Sequence, residues 1–134
     1  EDADGFVFGS PVHYAAASGN MTSFMDRLFY SAGENLQFKP AAVVTAARRG
    51  GNTATYEQLL KYPGISNMPI VSSQYWNMVH GMNAQDVEQD LEGLQTMRTL
   101  GRNMAWILKC IEAGKQAGIG HPEREPFQCT NFIR

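Results

Sequence analysis

The sequence predicts an α/β fold in which a doubly wound parallel sheet is covered by helices. Short apolar runs at residues 5–8, 41–46 and 68–72 have the composition of strands buried on both faces of a sheet. A segment with apolar residues at helical spacing follows each run, and the connections are short. Alternating strands and helices of this kind predict parallel strands joined by right-handed crossovers.

The first strand and helix are separated by a loop of small residues. The run at residues 5–8 ends before Gly9 and Ser10. From Asn20 onward the apolar side chains fall at i, i+3, i+4, i+7 and i+8, with Asn20 or Ser18 placed to cap the first amide groups. The predicted inward face consists of Met21, Phe24, Met25, Leu28 and Phe29.

The pattern then repeats twice. After the strand at 41–46, residues 48–53 break the run, and a helix follows with Tyr56, Leu59 and Leu60 facing inward. A third strand is predicted at 68–72, with Pro69 at its beginning, where no ladder hydrogen bond is lost.

One long helix is predicted from about residue 83 to residue 118. Gly101 should let it lie close against the sheet, and a coiled coil is the alternative interpretation of its apolar stripe. The stripe consists of Val87, Leu91, Leu94, Met97, Gly101, Met104, Leu108 and Ile111. We therefore predict one domain over residues 1–120 and an irregular tail over residues 121–134.

Composition excludes several classes of function. The formal charge of −2 and the absence of a basic run argue against a nucleic-acid surface. No apolar run reaches the roughly 20 residues of a membrane span. Cys110, predicted to be buried, and Cys129 are too few for a zinc or iron–sulfur ligand set. We expect no membrane partner and a reducing, cytoplasmic location.

Ligands of open α/β sheets bind beyond the carboxyl ends of the strands, so the segments after each strand are the candidate site. Small residues and free amides after the first strand can lie flat against a planar ring. Two glycines after the second strand let the backbone approach a ligand closely. Aromatic residues gather after the third, and together the three segments indicate a large planar ligand. The candidates are Ser10, Pro11, Val12, His13, Tyr14, Ala15, Arg49, Gly50, Gly51, Thr53, Trp76 and Asn77.

These same segments resemble the NADPH-dependent FMN reductase family. The resemblance lies in residues 9–14, 18–21 and 24–28, and in the loops at 49–53 and 75–81. It implies a flavodoxin-like fold, of which this chain holds the three carboxyl-terminal strands. It also implies that residues 11–15 contact the isoalloxazine ring of FMN and that Gly50 and Gly51, with Arg49 or Thr53, contact its pyrimidine side. Trp76 and Asn77 would lie near the flavin or a neighbouring subunit.

The family also has an amino-terminal strand and a phosphate-binding loop, and we expect both to lie outside this chain. Two strands of the order 2-1-3-4-5 would then be absent, which would leave one edge of the first strand open. The chain is accordingly predicted to supply the half of the site that holds the flavin ring.

The resemblance implies an FMN-dependent oxidoreductase that takes electrons from NAD(P)H and passes them to a small-molecule acceptor. The flavin carries the chemistry, so no side chain is needed as an acid or base. His80 and His121 are assigned no role, because the sequence shows no carboxylate partner for them. A homodimer or higher homo-oligomer is expected. The alternatives are an electron carrier without an NAD(P)H site and a dimerising remnant that binds no flavin.

Overall fold

Helices cover both faces of a four-stranded sheet with the strand order β2-β1-β3-β4. The computed structural model describes residues 2–132. Its elements in chain order are β1 (Phe6–His13), β2 (Ala16–Ala17), α1 (Gly19–Leu36), β3 (Ala41–Ala47), α2 (Asn52–Ile65), β4 (Met78–His80), α3 (Ala84–Val87) and α4 (Leu91–Gln116).

The sheet is parallel except for its shortest strand. β3 lies between β1 and β4 and runs parallel to both. β2 pairs antiparallel with the end of β1, at Val12 and His13. Over Phe6–Pro11 the outer edge of β1 has no strand partner among residues 2–132.

The third strand lies later in the chain than predicted. Residues 68–72 contribute only a parallel bridge between Ile70 and Ala41, and the chain rejoins the sheet at β4. Between them the Ser73 hydroxyl oxygen lies 2.7 Å from both the Tyr75 carbonyl and Asn77 Oδ1, and its one proton can be donated to either. These local bonds replace ladder bonds, so the backbone leaves the sheet for several residues.

The two faces of the sheet are covered by different helices, as a doubly wound fold requires. On one face Phe8, Val43 and Leu59 pack with Met25 of α1, which is completely buried. On the other face α4 packs through Leu100 and Met104. Ser18 caps α1, its hydroxyl accepting from Met21 N–H at 3.3 Å. Phe24, predicted to face inward, is 54% exposed, so the buried stripe of α1 is narrower than the sequence indicates.

The long helix predicted from residue 83 is two helices. Asn83 caps the short α3, the backbone turns at residues 88–90, and Asp90 caps α4. This turn changes the phase of the helix, so the predicted stripe is wrong at Leu91, Gly101 and Ile111, which are exposed. The buried residues of α4 are Gly93, Thr96, Leu100 and Met104. Cys110, predicted to be buried, is also exposed.

After α4 the chain has neither helix nor strand as far as residue 132. His121 stacks on Phe38 with 4.6 Å between ring centroids, so this segment folds back toward the end of α1. Among residues 2–132, no helix combines the length and the apolar composition that a membrane crossing needs.

A tyrosine on α2 is hydrogen-bonded to a carboxylate on α1. This contact should make the free energy of unfolding depend on pH in the alkaline range. The Tyr62 hydroxyl donates to Asp26, and this hydrogen bond, with burial and the negative charge of Asp26, raises the pKa of Tyr62 to about 12. The tyrosine of the unfolded chain has a pKa of about 10. The hydrogen bond therefore contributes fully to the free energy of unfolding below that pH, and its contribution is lost as pH rises toward the pKa of the folded protein.

We therefore expect the difference in unfolding free energy between the parent protein and Tyr62→Phe to be constant below that range and to shrink above it. Denaturant unfolding at a series of pH values measures the difference, and phenolate absorbance of the folded protein reports the titration. A difference independent of alkaline pH would contradict the assignment.

Candidate functional site

The segments that follow the three parallel strands meet at one edge of the sheet. A Cβ atom placed on Gly51, after β3, would lie 2.8 Å from Ala15 Cα and from Val12 Cγ1. On its other side, Asn52 Nδ2 lies 3.0 Å from His80 Nε2 at the end of β4. The turn after β3 therefore contacts both the segment after β1 and the end of β4, as the parallel arrangement predicts.

The predicted loop after the first strand is a tight β-hairpin. β1 continues through Pro11 and Val12 to His13, and the chain turns back into β2. The two central residues, Tyr14 and Ala15, have φ angles of 52° and 60°, the pattern of a type I′ turn. Neither is glycine, so the turn is strained, and strain of this kind concentrates at ligand sites. Apart from the half-buried Val12, these residues are exposed.

Hydrogen bonds from the side chains of Ser10 and Gln58 fix the hairpin to the rest of the protein. Ser10 is 4% exposed, and its hydroxyl accepts from Ser18 N–H at 3.0 Å and donates to the Pro11 carbonyl at 2.8 Å. Gln58 Oε1 accepts from Ala17 N–H at 2.9 Å, which joins α2 to β2. The side chain of Ser10, a predicted site residue, thus positions the hairpin from inside the protein.

The turn after β3 exposes backbone amides at the start of α2. Gly51 has φ of 95° and is the N-cap, so it has no side chain to accept from the first N–H groups of the helix. Those groups remain available to water or to a ligand, and the helix dipole favours negative charge there. Gly50, Arg49 and Thr53 are exposed around the same turn.

Arg48 and Arg49 make the rim of this turn positive. Both side chains are exposed, and within residues 2–132 no carboxylate oxygen lies within 4 Å of either guanidinium. Such unpaired guanidinium groups can bind phosphate in a bidentate arrangement.

The third predicted segment separates into an exposed part and a buried part. Tyr75 and Trp76 are 52% and 51% exposed and form an edge-to-face pair with ring centroids 4.9 Å apart. Asn77 is completely buried, and its carbonyl accepts from Thr45 N–H at 3.0 Å. Trp76 is accessible from solvent, whereas Asn77 returns the chain to the sheet through its backbone carbonyl, and its side chain is internal.

Three residues that the sequence did not mark belong to the same region. His80 contacts the side chain of Asn52, and its Nδ1 lies 3.8 Å from Asp90 Oδ2. Asp90 precedes α4 and also accepts from His80 N–H at 2.7 Å. The sequence could not predict these contacts, because they join α2, β4 and the turn before α4, which are separate in the chain. Nowhere in residues 2–132 are three His, Cys, Asp or Glu side chains grouped as a metal site requires.

Comparison with known proteins identifies the family. The model of the NADPH-dependent FMN reductase family matches residues 1–83, which contain the hairpin, the glycine turn and β4. This chain belongs to the NADPH-dependent FMN reductase family. The description of that family names a reductase of FMN that depends on NADPH.

Two known proteins show how the FMN reductase segment relates to longer chains. An iron-sulfur flavoprotein of Methanocaldococcus jannaschii is 32% identical over an alignment of 120 residues. The alignment covers 84% of this chain and 62% of that protein. This chain therefore spans less than two thirds of its curated relative. A flavodoxin, WrbA-like protein from Agrobacterium tumefaciens superposes with a TM-score of 0.55, at 24% identity, over 76% of this chain and 69% of that one. This likeness establishes the flavodoxin-like fold.

The residues at the edge of the sheet fit the flavin ring that the family name implies. The accessible hairpin offers a surface of small side chains, and the amides at the start of α2 offer donors beside it. Gly51 leaves no room for a Cβ between this turn and the hairpin, so the two surfaces form one continuous edge. A planar ring with polar atoms along one side suits such an edge.

Proposed function

We propose that this chain holds the isoalloxazine ring of FMN in an NAD(P)H-dependent oxidoreductase. The observation that carries the proposal is the contact of a strained hairpin with a glycine turn of uncapped amides at the carboxyl edge of the sheet. Ligands of open α/β sheets bind at this edge. The family assignment names the cofactor and the electron donor.

The ring would be held by backbone more than by side chains. Pro11, Val12 and Ala15 of the hairpin would contact its face, with His13 and Tyr14 at the rim. The amides from Gly50 to Thr53, with Arg49, would face the pyrimidine side, where reduction increases negative charge. Trp76 would cover an outer part of the site.

Bound FMN supplies the redox chemistry, taking electrons from NAD(P)H and passing them to a small-molecule acceptor. The chain has two tasks in this scheme. It must leave one face of the ring accessible to the nicotinamide, and it must place donors where negative charge develops. Neither task needs a side chain that gives up or takes a proton at the reacting atoms.

Ring recognition can be separated from phosphate recognition by comparing three flavins. All the proposed contacts are to the ring, so lumiflavin, which is the ring alone, should bind this chain within about tenfold of the affinity for riboflavin and FMN. Quenching of flavin fluorescence measures the three dissociation constants. A flavin spectrum that bleaches when NADPH is added without oxygen supports the complete proposal.

Other outcomes would change the proposal in different ways. If bound flavin does not bleach with NADPH or NADH, the electron-carrier alternative replaces the reductase. If FMN binds more than a hundredfold more tightly than lumiflavin, the main contacts are to phosphate and the ring assignment is wrong. If no flavin binds, this chain by itself is not the ring-holding part.

The two arginines at the rim should act on the nicotinamide nucleotide. In the double variant Arg48→Ala/Arg49→Ala we expect the KM for NADPH to rise about thirtyfold, since two charged contacts to phosphate are lost and each loss weakens binding by roughly 1 kcal/mol. Flavin affinity should fall less, because backbone amides make most of the proposed ring contacts. Steady-state kinetics measures both quantities, with Lys61→Ala, an exposed charge elsewhere on α2, as the matched control. An unchanged KM would show that the nucleotide binds elsewhere.

A homodimer would give the exposed aromatic residues a partner surface. Tyr75 and Trp76 are half exposed and adjacent, and aromatic side chains of this kind are enriched in interfaces. Sedimentation equilibrium of the parent protein and of Trp76→Ser tests this part of the proposal. A dimer that Trp76→Ser weakens supports it, and a parent protein that is monomeric at high concentration contradicts it.

A further inference from the structure

Asn52 holds its amide group in an orientation that leaves one atom without a partner. The residue is 3% exposed and directly follows Gly51 of the proposed ring site. Its Nδ2 lies 3.0 Å from His80 Nε2 and 3.5 Å from the Val79 carbonyl. Its Oδ1 is buried and has no hydrogen-bond partner among the described residues. A buried polar atom without a partner is costly, so this one calls for an explanation.

This orientation defines the proton arrangement of His80. An amide nitrogen is only a donor, so Nε2 of His80 must accept, and the ring proton of the neutral imidazole is then on Nδ1. Nδ1 faces Asp90 Oδ2 at 3.8 Å. Asn52 at Nε2 and Asp90 near Nδ1 therefore both favour the neutral tautomer of His80 that is protonated at Nδ1.

A second proton on His80 would make the same amide orientation unfavourable. Nε2–H and Asn52 Nδ2 would both be donors facing each other. Rotation of the amide by half a turn about its last side-chain bond places the unpartnered Oδ1 against Nε2–H. Each protonation state of His80 is thus matched by one orientation of Asn52, and the Val79 carbonyl favours the orientation of the neutral state.

The described side chains that line a cavity with His80 are acidic or neutral. Its side chain is 45% exposed and lines a cavity of about 210 Å³, and none of the described residues that line this cavity is Lys or Arg. Asp90 and Glu92 at the start of α4 and Tyr75 line the same cavity, and Asp86 of α3 accepts from Met82 N–H nearby. Asp90 cannot easily turn away, because its two oxygens accept from His80 N–H and from Gly93 N–H.

We infer that His80 and Asn52 form a proton-linked switch beside the ring site, in which Nε2 of His80 takes one proton from solvent and the Asn52 amide turns to accept it. No other bond is made or broken, and the imidazole gains one positive charge, which Asp90 stabilises. If the proposed function holds, reduction of the flavin increases negative charge at the adjacent glycine turn. That charge favours proton uptake by His80. His80 and Asn52 then act as positioning residues.

The switch can be tested on the protein without flavin by nuclear magnetic resonance. Above the His80 transition, imidazole nitrogen shifts should show the tautomer protonated at Nδ1. As pH is lowered, the Asn52 side-chain amide signals should move in the same transition as the His80 signals. His13 and His121, the other two histidines, serve as internal controls, because their titration should leave Asn52 unchanged.

Two variants test the charge and the amide separately. Asp90→Asn keeps an N-cap oxygen but removes the charge, and it should move the His80 transition to lower pH. Asn52→Asp offers only acceptors and should move the transition to higher pH. The inference is overturned if the Asn52 signals stay constant while His80 titrates, or if neutral His80 carries its proton on Nε2. Because these readouts need no flavin, they decide the inference even if the proposed function fails.

Flavin-loaded protein then tests the link to the ring site. For a two-electron couple, each proton taken up on reduction adds about 30 mV per pH unit to the slope of the reduction potential. The parent protein should show a steeper slope than His80→Gln across the His80 transition. Equal slopes would overturn the link, while the amide switch would still be judged by the resonance experiment.

Discussion

Gly51→Ala is expected to lower the free energy of unfolding by about 3 kcal/mol and to abolish measurable flavin binding. The residue has φ of 95°, and a Cβ there would meet Ala15 Cα and Val12 Cγ1 at 2.8 Å. A left-handed backbone costs an alanine roughly 1–2 kcal/mol, and overpacking against a neighbouring chain costs roughly 1–3 kcal/mol more. Because the contact is partly with backbone, it is relieved only if the hairpin and the start of α2 move apart.

The neighbouring glycine provides a matched control. Gly50 is exposed, and a Cβ placed on it would have no atom within 4 Å. Gly50→Ala should therefore change stability by less than about 1 kcal/mol. Denaturant unfolding of the two variants measures this difference, and flavin titration measures the loss of binding in Gly51→Ala. Equal effects of the two substitutions would show that the hairpin and the glycine turn are not in contact.

Gly93→Ala is expected to destabilise the protein by about 3 kcal/mol through the cap of α4. A Cβ on Gly93 would overlap Asp90 Oδ2, so the carboxylate would have to leave its position. Its bonds to Gly93 N–H at 2.9 Å and to His80 N–H at 2.7 Å would then be lost. An N-cap contributes about 1 kcal/mol, and the displaced carboxylate and crowded turn add roughly 1–3 kcal/mol.

Gly101→Ala on the same helix should have the opposite sign. Gly101 is exposed in the middle of α4, and a Cβ on it would have no atom within 4 Å. Alanine is favoured over glycine in a helix by about 1 kcal/mol, so this substitution should stabilise the protein by up to that amount. Unfolding of the two variants side by side measures the contrast. If Gly101→Ala were the destabilising change, α4 would face the sheet as the sequence alone predicted.

The contrast between these glycines shows why helix orientation was only partly predictable. The apolar spacing from residue 83 onward is continuous, and it predicts one helix with Gly101 on the inner face. The break at residues 88–90 depends on Asp90, whose side chain is held by His80 N–H, a partner ten residues earlier in the chain. A local pattern cannot report such a contact, so it shows neither the break nor the exposure of Gly101, although Met104 of the predicted stripe is buried.

The third strand was misplaced for a related reason. Residues 68–72 have strand composition, and Ile70 does bridge to Ala41, but Ser73 offers the backbone local hydrogen bonds that compete with the ladder. The sheet resumes at β4 because Asn77 is buried and its carbonyl accepts from Thr45 N–H. Where a strand resumes is decided by its neighbour, so the sequence indicates only that a strand is present.

The sequence alone determined the α/β class, the first two strands and their helices, and the segments that form the candidate site, and it narrowed the cap of the first helix to Ser18 or Asn20. These follow from spacing and from local chemistry, which a single segment contains. Only the tertiary structure decided that the first loop is a strained hairpin, that Ser10 and Asn77 are internal, and that Asn52, His80 and Asp90 meet. Those features depend on contacts between segments distant in the chain, and such contacts exist only after the sheet has brought its strands together.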